Sequence, residues 1–512
     1  MIPQPAPQGM LKDNAAMSST MATPARPSDT NAVLQWQEGF AALGEAFFTR
    51  LAPTPLQDPH WVAADPDVAA LLGLSPEWMG SEAALAVFSG NALLPGSTPL
   101  ASVYSGHQFG TWAGQLGDGR ALLLGETALG QEIQLKGSGR TPYSRGADGR
   151  AVLRSSIREY LAGIALHGLG VPTTRALALI GSPTPVRREE IETAAVVTRV
   201  APSFIRFGHF EHFAARGQIE DLRRLADYVI ARYYPECRDA EGFGGNAHAA
   251  LLHAVSERTA RLIAQWQAVG FMHGVMNTDN MSILGLTLDY GPFQFMDAFG
   301  PQHICNHTDR YGRYAFDQQP AVAHWNLRCL AQALVPLIGD IESAQAALDG
   351  YADTFTAQYL VCMRAKLGLR QPREGDEALL ADLLRLMAQD AVDYPLFWRR
   401  LSLMVATGHH APVLALFKER DAFQHWMLSY QKLLAQDSRA LQADLMLQSN
   451  PKFVLRNHLA EQAIRAAKLG DFQPLQTLQT LLARPFDEHP QHDAWAGPPP
   501  AWASSLVLSC SS

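Results

Sequence analysis

Short apolar runs separated by glycine turns follow one another between residues 121 and 200. Ala121–Gly125 and Glu132–Lys136 flank a turn at Gly130, and Ala176–Ile180 and Thr193–Val200 come later. Runs of this length bounded by glycine are typical of β-strands. We therefore expect a small sheet in this part of the chain.

Elsewhere the apolar residues recur at the 3.6-residue spacing of an amphipathic helix. The clearest example runs from Leu251 to Val269 and is stopped by Gly270. The pattern predicts further helices at Val33–Leu51, at Ala151–Leu169, from Val322 to about Gln436 and at Asn450–Gly470, with Asp65 and Ser75 as helix starts.

Composition divides the chain into successive segments. The first thirty-odd residues are rich in Pro, Ala, Ser and Met, which predicts a disordered leader. We expect a leader (1–32), a helical or irregular extension (33–100), a strand-rich part (101–207), a helical part (208–400), a C-terminal helical region (401–484) and a tail (485–512).

The overall charge and cysteine usage exclude several classes of protein. The chain has 512 residues, 47% of them hydrophobic, and a formal net charge of −8, which argues against nucleic acid as a partner. No apolar run reaches the roughly 20 residues that span a membrane, and the leader lacks an apolar signal core. The five cysteines form no CxxC pair, so we expect a cytoplasmic protein.

A glycine-rich stretch precedes the first predicted strands. Tyr104–Arg120 contains five glycines, and Gly117, Gly119 and Arg120 stand at its end. Glycines let backbone N–H groups approach a phosphate, and the arginine adds positive charge. Such a turn is also typical of an ordinary hairpin. The order of turn, strand, turn and a strand ending in Lys136 favours nucleotide binding.

Charged residues then cluster around the next helix. Asp148 and Gly149 lie within an arginine-rich segment, and Glu159 falls inside the helix predicted from Ala151. Glu159 is positioned to pair with Lys136, as in kinases. The alternative is a capping box formed with Ser156.

Two further arginines follow the last predicted strand. Arg199 lies near its end and Arg206 one short turn later. Isolated arginines are normally solvated, but next to a phosphate site they are candidates for binding it.

Three oxygen-bearing residues follow the helix that ends at Gly270. Asp279 and Asn280 are neighbours, and Asp289 begins an Asp-Tyr-Gly sequence. Such oxygen ligands suit Mg²⁺. The pattern resembles the catalytic and metal loops of protein kinases, but Val275 occupies the position of the kinase base. The residues therefore indicate either an inactive kinase fold or a different reaction. Asp279 is a candidate proton acceptor, or it caps the turn.

Long stretches of the sequence resemble the selenoprotein O family, also called YdiU-like proteins. They extend from about Tyr104 to the last residue, and they include YSGHQFGTWAGQLGDGRA, QLKGSGRTPYSRGADGRAVLRSSIREYL, GVPTTRAL, HGVMNTDNMSILGLTLDYGPF, ICNHTD, NPKFVLRNHLA and the terminal CSS. The resemblance implies an α+β, protein-kinase-like fold of two lobes. The small lobe is β-rich with one key helix, the large lobe is helical, and helical extensions lie at both ends.

The resemblance also implies a reaction. AMP would pass from ATP to Ser, Thr or Tyr hydroxyls of other proteins, with the nucleotide reversed relative to a kinase. Asp279 would accept the proton, and Mg²⁺ (or Mn²⁺) would bind to Asn280 and Asp289. The implied nucleotide contacts are Gly117, Gly119, Arg120, Lys136, Asp148, Gly149, Arg199 and Arg206, with Glu159 holding Lys136.

Other possibilities stay open at this point. A kinase that transfers the γ-phosphate and a non-catalytic nucleotide-binding scaffold both fit the individual motifs. The resemblance further suggests redox pairing of Cys305 with Cys510, and two ordinary thiols are the alternative.

Overall fold

The computed structural model describes residues 33–435 and 438–508. The leader expected at 1–32 therefore lies outside the described residues. Where the sequence predicts a helix over Val33–Leu51, the chain forms a short strand, a 3-10 helix and another strand. Gly39 and Gly44 have positive φ angles of 50° and 101°, which interrupt a helix. The helix prediction is wrong here.

The chain between residues 36 and 201 contributes the strands of one antiparallel sheet. Its strands are β1 Trp36–Gln37, β2 Phe48–Arg50, β3 His60–Ala64, β4 Leu100–Gln108, β5 Thr111–Gly117, β6 Ala121–Thr127, β7 Glu132–Lys136, β8 Ala151–Val152, β9 Arg175–Arg187 and β10 Ile191–Ala201. Their order is β2-β4-β6-β7-β10-β9-β3, with β1 on β6, β5 on β4 and β8 on β10. All four predicted strands are confirmed. The glycine-rich stretch, by contrast, lies mostly within β4 and β5.

The register of the central strands puts charged residues side by side. Lys136 of β7 lies opposite Ala121 of β6 and Val197 of β10, and Gln134 lies opposite Arg199. Because alternate residues of a strand share a face and directly opposed residues do too, Gln134, Lys136 and Arg199 emerge on one side of the sheet.

The rest of the chain is predominantly helical. The α-helices are α1 Pro66–Leu71, α2 Pro76–Met79, α3 Glu82–Phe88, α4 Leu153–Gly168, α5 Phe207–Ala215, α6 Ile219–Tyr233, α7 Ala247–Val269, α8 Gln319–Ile338, α9 Ile341–Ala346, α10 Tyr351–Lys366, α11 Asp376–Asp390, α12 Tyr394–Thr407, α13 Ala411–Leu414, α14 Arg420–Leu434, α15 Arg439–Ser449, α16 Asn457–Ala467 and α17 Gln473–Ala483. Short 3-10 helices lie at Gly39–Leu43, Pro235–Asp239, Glu241–Phe243, Thr278–Asn280, Phe316–Gln318, Pro490–Ala496 and Ala501–Ser505. None of the helices in the described residues is both long and apolar enough to cross a membrane.

The helix boundaries follow local capping chemistry. Asp65 and Ser75 accept backbone N–H bonds at the starts of α1 and α2, as predicted. Gly270 ends α7 in the left-handed conformation, also as predicted. The helix expected from Asn450 begins later, at Asn457, because Asn450 caps the end of α15 in an extended conformation directly before Pro451.

A small strand pair positions the loop that carries the predicted metal ligands. After α7, strand β11 (Phe271–Met272) pairs with β12 (Gln294–Phe295). The residues between them form an extended loop that contains the Thr278–Asn280 turn. This pairing brings both ends of the loop together.

Two hydrophobic clusters support these elements. The first is shared by the sheet, α4 to α9, α16 and α17, and includes Ile157, Tyr160 and Trp266. The second lies mainly among α10 to α15 and includes Phe397, Trp398 and Trp426. The described residues from Leu34 onward form one compact unit.

Candidate active site

A cavity of about 650 Å³ lies between the sheet and the loop that joins β11 to β12. This volume is in the usual range for a ligand site. The sequence-predicted residues that line it are Gly117, Gly119, Arg120, Lys136, Asp148, Gly149, Arg199, Arg206, Asp279, Asn280 and Asp289. Glu159 does not line the cavity but pairs with Lys136 behind it.

The predicted ion pair is present on the inner wall of the cavity. Lys136 Nζ lies 2.7 Å from Glu159 Oε2 and 3.3 Å from Asp289 Oδ1. Helix α4 begins at Leu153 with Val152 as its N-cap, so Glu159 is inside the helix. The alternative capping box with Ser156 is therefore wrong, and the pairing with Lys136 is confirmed.

Two arginines complete this cluster. Arg199 Nη1 lies 2.5 Å from Asp289 Oδ1, and Arg206 pairs with Asp289 Oδ2. Both arginine side chains are only 2% exposed. Arg199 also bonds to Gln134, its neighbour across the strands. Both arginines are thus buried site residues.

The charges in the cluster stabilise one another. Burial opposes ionisation of Asp289, but Arg206, Lys136 and Arg199 hold its pKa well below the ordinary value. Burial also opposes charge on Arg206, yet Asp289 and its neighbours raise the arginine's pKa. Asp289 is consequently an anion at neutral pH.

The outer part of the cavity is also basic. Arg120, Arg145, Arg150 and Arg188 contribute to its lining. Asp148 is held there by Arg188, with contacts of 2.7 and 3.0 Å. A cavity lined by several cationic side chains suits a polyanionic ligand such as a nucleoside triphosphate.

Two glycines allow segments of the cavity wall to pack closely against each other. At Gly117 (φ 149°) a Cβ atom would lie 2.4 Å from the Tyr143 ring, and at Gly149 (φ 71°) it would lie 2.2 Å from the Gly139 carbonyl group. A side chain fits at neither position. These two glycines are therefore required by backbone packing, whatever the ligand.

Asp279 lies in the 3-10 turn and is 7% exposed. Its Oδ2 accepts a hydrogen bond from Gln108 Nε2 at 3.2 Å, whereas Oδ1 is buried and accepts no hydrogen bond from the described residues. Burial raises the pKa of Asp279 to about 6, although Gln108 and Arg206 oppose the shift. A carboxylate of raised pKa with spare accepting capacity is suited to taking up a proton.

His273, near the start of the same loop, has a structural role. His273 is buried, stacks on Trp266 with ring centroids 5.5 Å apart, and bonds through Nε2 to Leu288 O at 2.9 Å. Val275, which the sequence comparison with kinases puts at the place of the base, lines the cavity. Because valine takes up no proton, Asp279 is the carboxylate of this loop that remains available for that task.

The oxygen atoms near Asn280 fit a hard divalent cation. Asn280 donates Nδ2 to Val275 O at 2.9 Å, which leaves its Oδ1 as the amide atom available to a metal. Asp289 has a positive φ of 59°, a strained conformation that brings its carboxylate towards the sheet. Carboxylate and amide oxygens are the ligands that Mg²⁺ or Mn²⁺ prefers.

Sequence reasoning missed several residues of the site. Gln134 could have been found, because strand alternation puts it on the face of Lys136. Nothing in the sequence pattern points to Gln108 or Arg188, because their partners, Asp279 and Asp148, are distant in sequence.

The predicted thiol pair is only partly described. Cys305 is buried, and Cys510 lies outside the described residues, so the pairing stays a prediction. His307 donates its backbone N–H to Leu508 O at 3.1 Å, which brings the tail to the segment around Cys305.

Comparison with known proteins assigns the chain to a family. The family described as protein adenylyltransferase SelO matches residues 31–483. A protein nucleotidyltransferase YdiU of Variovorax paradoxus is 64% identical over 480 residues, covering 94% of this chain and 97% of that protein. Proteins of the same name from Albidiferax ferrireducens (60% over 483 residues, 94% and 97% covered) and Dechloromonas aromatica (56% over 491 residues, 93% and 97% covered) are also similar. The chain therefore belongs to the SelO family of protein adenylyltransferases, enzymes that transfer an adenylyl group from ATP.

Proposed function

We propose that this enzyme attaches AMP from ATP to Ser, Thr or Tyr hydroxyl groups of other proteins, with the nucleotide reversed relative to a kinase. The observation that carries the proposal is the distribution of charge in the cavity. Lys136, Arg199 and Arg206 are 10%, 2% and 2% exposed and form its innermost cationic group. A triphosphate that enters tail-first finds its partners there, and its α-phosphate is left nearer to the acceptor.

The reaction requires one bond to form and one to break. The acceptor oxygen attacks the α-phosphorus, and the bond from that phosphorus to the α,β-bridging oxygen breaks. Pyrophosphate leaves, and Asp279 takes the proton of the hydroxyl group. The protein contributes mainly by positioning the reactants and by balancing charge, as in other phosphoryl-type transfers.

Asn280 and Asp289 would hold Mg²⁺ or Mn²⁺. When bound, such a cation neutralises the charge that develops on the phosphate oxygens. Lys136 and the two buried arginines bind the phosphate tail, and Glu159 orients Lys136. Asp148 keeps Arg188 at the outer wall, next to Arg120.

A protein-kinase-like architecture of two lobes accompanies this proposal. The antiparallel sheet with α4 corresponds to a small lobe, and the helical part from α5 onward corresponds to a large one. The Lys136–Glu159 pair at 2.7 Å supports this assignment, since kinases use the same pairing between a strand and a helix.

Two differently labelled forms of ATP test the function. The purified protein is incubated with Mg²⁺ or Mn²⁺ and with ATP labelled at the α- or γ-phosphorus, alone and with a cell extract as acceptor. We expect label from the α position on protein. Label from the γ position alone would indicate a kinase, and no label from either would indicate a non-catalytic scaffold.

A further inference from the structure

The end of strand β4 lies directly against the turn that carries Asp279. Three consecutive residues, the last two of the strand and the one after it, each donate a hydrogen bond to a residue in or directly before that turn. The contacts are His107 N to Thr278 Oγ1 (2.7 Å), Gln108 Nε2 to Asp279 Oδ2 (3.2 Å) and Phe109 N to Asn277 Oδ1 (3.1 Å). The end of β4 thus holds the side chains of three consecutive residues, one directly before the turn and two within it.

Small residues on both sides permit this close approach. At Gly106, which has a φ of 159°, a Cβ atom would lie 2.8 Å from Thr278 Oγ1 and 3.2 Å from Asp279 N. At Gly208 of α5 it would lie 2.2 Å from Ser105 O and 3.4 Å from Asp279 Cα. The strand, the helix and the turn therefore meet backbone to backbone, and their relative positions are closely defined.

His107 anchors the end of β4. Its Nδ1 lies 2.6 Å from Oε1 of the buried Glu211, and its ring contacts the edges of Trp112 and Trp325. Cys329 is near enough to suggest a metal site, with the ligand atoms of the three residues within 4.8 Å of one another. However, two tetrahedral zinc ligands lie about 3.3 Å apart when each is about 2.0 Å from the metal. The 2.6 Å contact is instead that of a hydrogen bond.

We propose that Gln108 is the positioning residue of Asp279, and that it holds the carboxylate in the orientation that accepts the proton of the incoming hydroxyl group. This inference rests on the proposed function. Gln108 provides the only side-chain hydrogen bond to this carboxylate within the described residues. Oδ1 is buried without a hydrogen-bond partner among those residues, so the bond from Gln108 to Oδ2 is what restrains the rotation of the carboxylate.

The neighbouring arginine explains why such a restraint is needed. Arg206 Nη1 already donates to the backbone oxygen of Asp279 at 2.8 Å. A carboxylate released by Gln108 can rotate towards this guanidinium and form an ion pair. Asp279 would then be turned away from the acceptor, although the nucleotide contacts of Lys136 and Arg199 would be unchanged.

The substitution Gln108→Leu removes the amide and keeps a side chain of similar size. We expect the rate of α-label transfer at saturating ATP to fall about tenfold or more, because misplacing a catalytic group is costly. The ATP concentration for half-maximal rate should change less than about twofold. In Gln108→Asn the side chain is one methylene shorter and its amide no longer reaches Asp279. The transfer rate of this variant should fall nearly as much. Gln115→Leu is the matched control, since Gln115 lies on the adjacent β5 and bonds to Arg216 outside the cavity.

The outcomes separate this proposal from the one on which it rests. If the wild-type protein transferred no α-label, adenylyl transfer itself would be refuted. A wild-type protein that transfers the label, together with an equally active Gln108→Leu variant, would refute only the role of Gln108. A loss of ATP affinity or of thermal stability that matched the loss in rate would also refute it, since Gln108 would then serve binding or folding.

Discussion

At the scale of single residues, the proposed proton acceptor Asp279 gives the most direct test of the chemistry. We expect Asp279→Ala to reduce adenylyl transfer by about 100-fold or more, which is the usual contribution of a general base. ATP affinity should change little, since the described contacts to the carboxylate come from Gln108 rather than from the buried cations. Label transfer and calorimetry measure the two quantities.

The near-isosteric Asp279→Asn variant controls for the cavity that alanine leaves. It should be as inactive as Asp279→Ala while unfolding at a temperature close to that of the wild type. If Asp279→Asn retained transfer, the carboxylate would have no role as proton acceptor.

Substitution of Lys136 should lower ATP affinity as well as transfer, because this side chain both binds phosphate and pairs with Glu159 and Asp289. Lys136→Ala removes the 2.7 Å contact to Glu159 and the 3.3 Å contact to Asp289. We expect ATP affinity to fall about tenfold or more and transfer to fall with it, since a charge-assisted contact is worth about 1.5–3 kcal/mol. Arg140→Ala, an exposed neighbour outside the cavity lining, is a suitable control. Unchanged ATP affinity in Lys136→Ala would contradict the proposed contact between Lys136 and the phosphates.

At the scale of elements, the strands that carry the cations were the most predictable part of the fold. β7 was predicted with its observed bounds, since a glycine turn and a charged strand end delimit it. The region around Gly39 was not, because its apolar spacing fits a helix and its glycine conformations appear only in the structure. The contact between the end of β4 and the Thr278–Asn280 turn could not be predicted either, since it joins residues 168 to 171 positions apart.

Strand β7 also contains a pH-sensitive group. Glu132 accepts a hydrogen bond from Phe204 N at 2.7 Å, and burial raises its pKa to about 8 from an ordinary value of 4.5. The folded protein therefore keeps this proton between about pH 4.5 and 8, whereas the unfolded chain loses it. The contribution of Glu132 to stability is complete below pH 4.5, falls as the pH rises through this window, and then stays constant.

Glu132→Gln removes this titration. Across the window, the free energy of unfolding of the wild type should fall relative to that of the variant by at most about 1.4 kcal/mol per pH unit. Urea unfolding of both proteins at a series of pH values measures the difference. A difference independent of pH would show that Glu132 titrates normally.

At the scale of the whole molecule, opposite charges hold the two sides of the cavity together. Lys136 and Arg199 come from the sheet and Arg206 from the adjoining start of α5, whereas Asp289 comes from the loop after α7. Without nucleotide, these cations already neutralise Asp289, the proposed metal ligand. A triphosphate would take over the same cations, and Asp289 would then be available to a divalent ion.

Nucleotide and metal should therefore bind cooperatively. We expect Mn²⁺ alone to bind the protein weakly, and to bind about tenfold or more tightly when a non-hydrolysable ATP analogue is present, because a divalent cation is repelled by three nearby positive charges until phosphate neutralises them. Electron paramagnetic resonance of Mn²⁺, corrected for the complex of metal and analogue in solution, measures this difference. In Asp289→Asn the analogue should no longer increase Mn²⁺ affinity. The control Glu77→Gln, on the surface of α2, should keep the increase. Tight binding of Mn²⁺ to the nucleotide-free protein would show that the arginine cluster does not control the metal site.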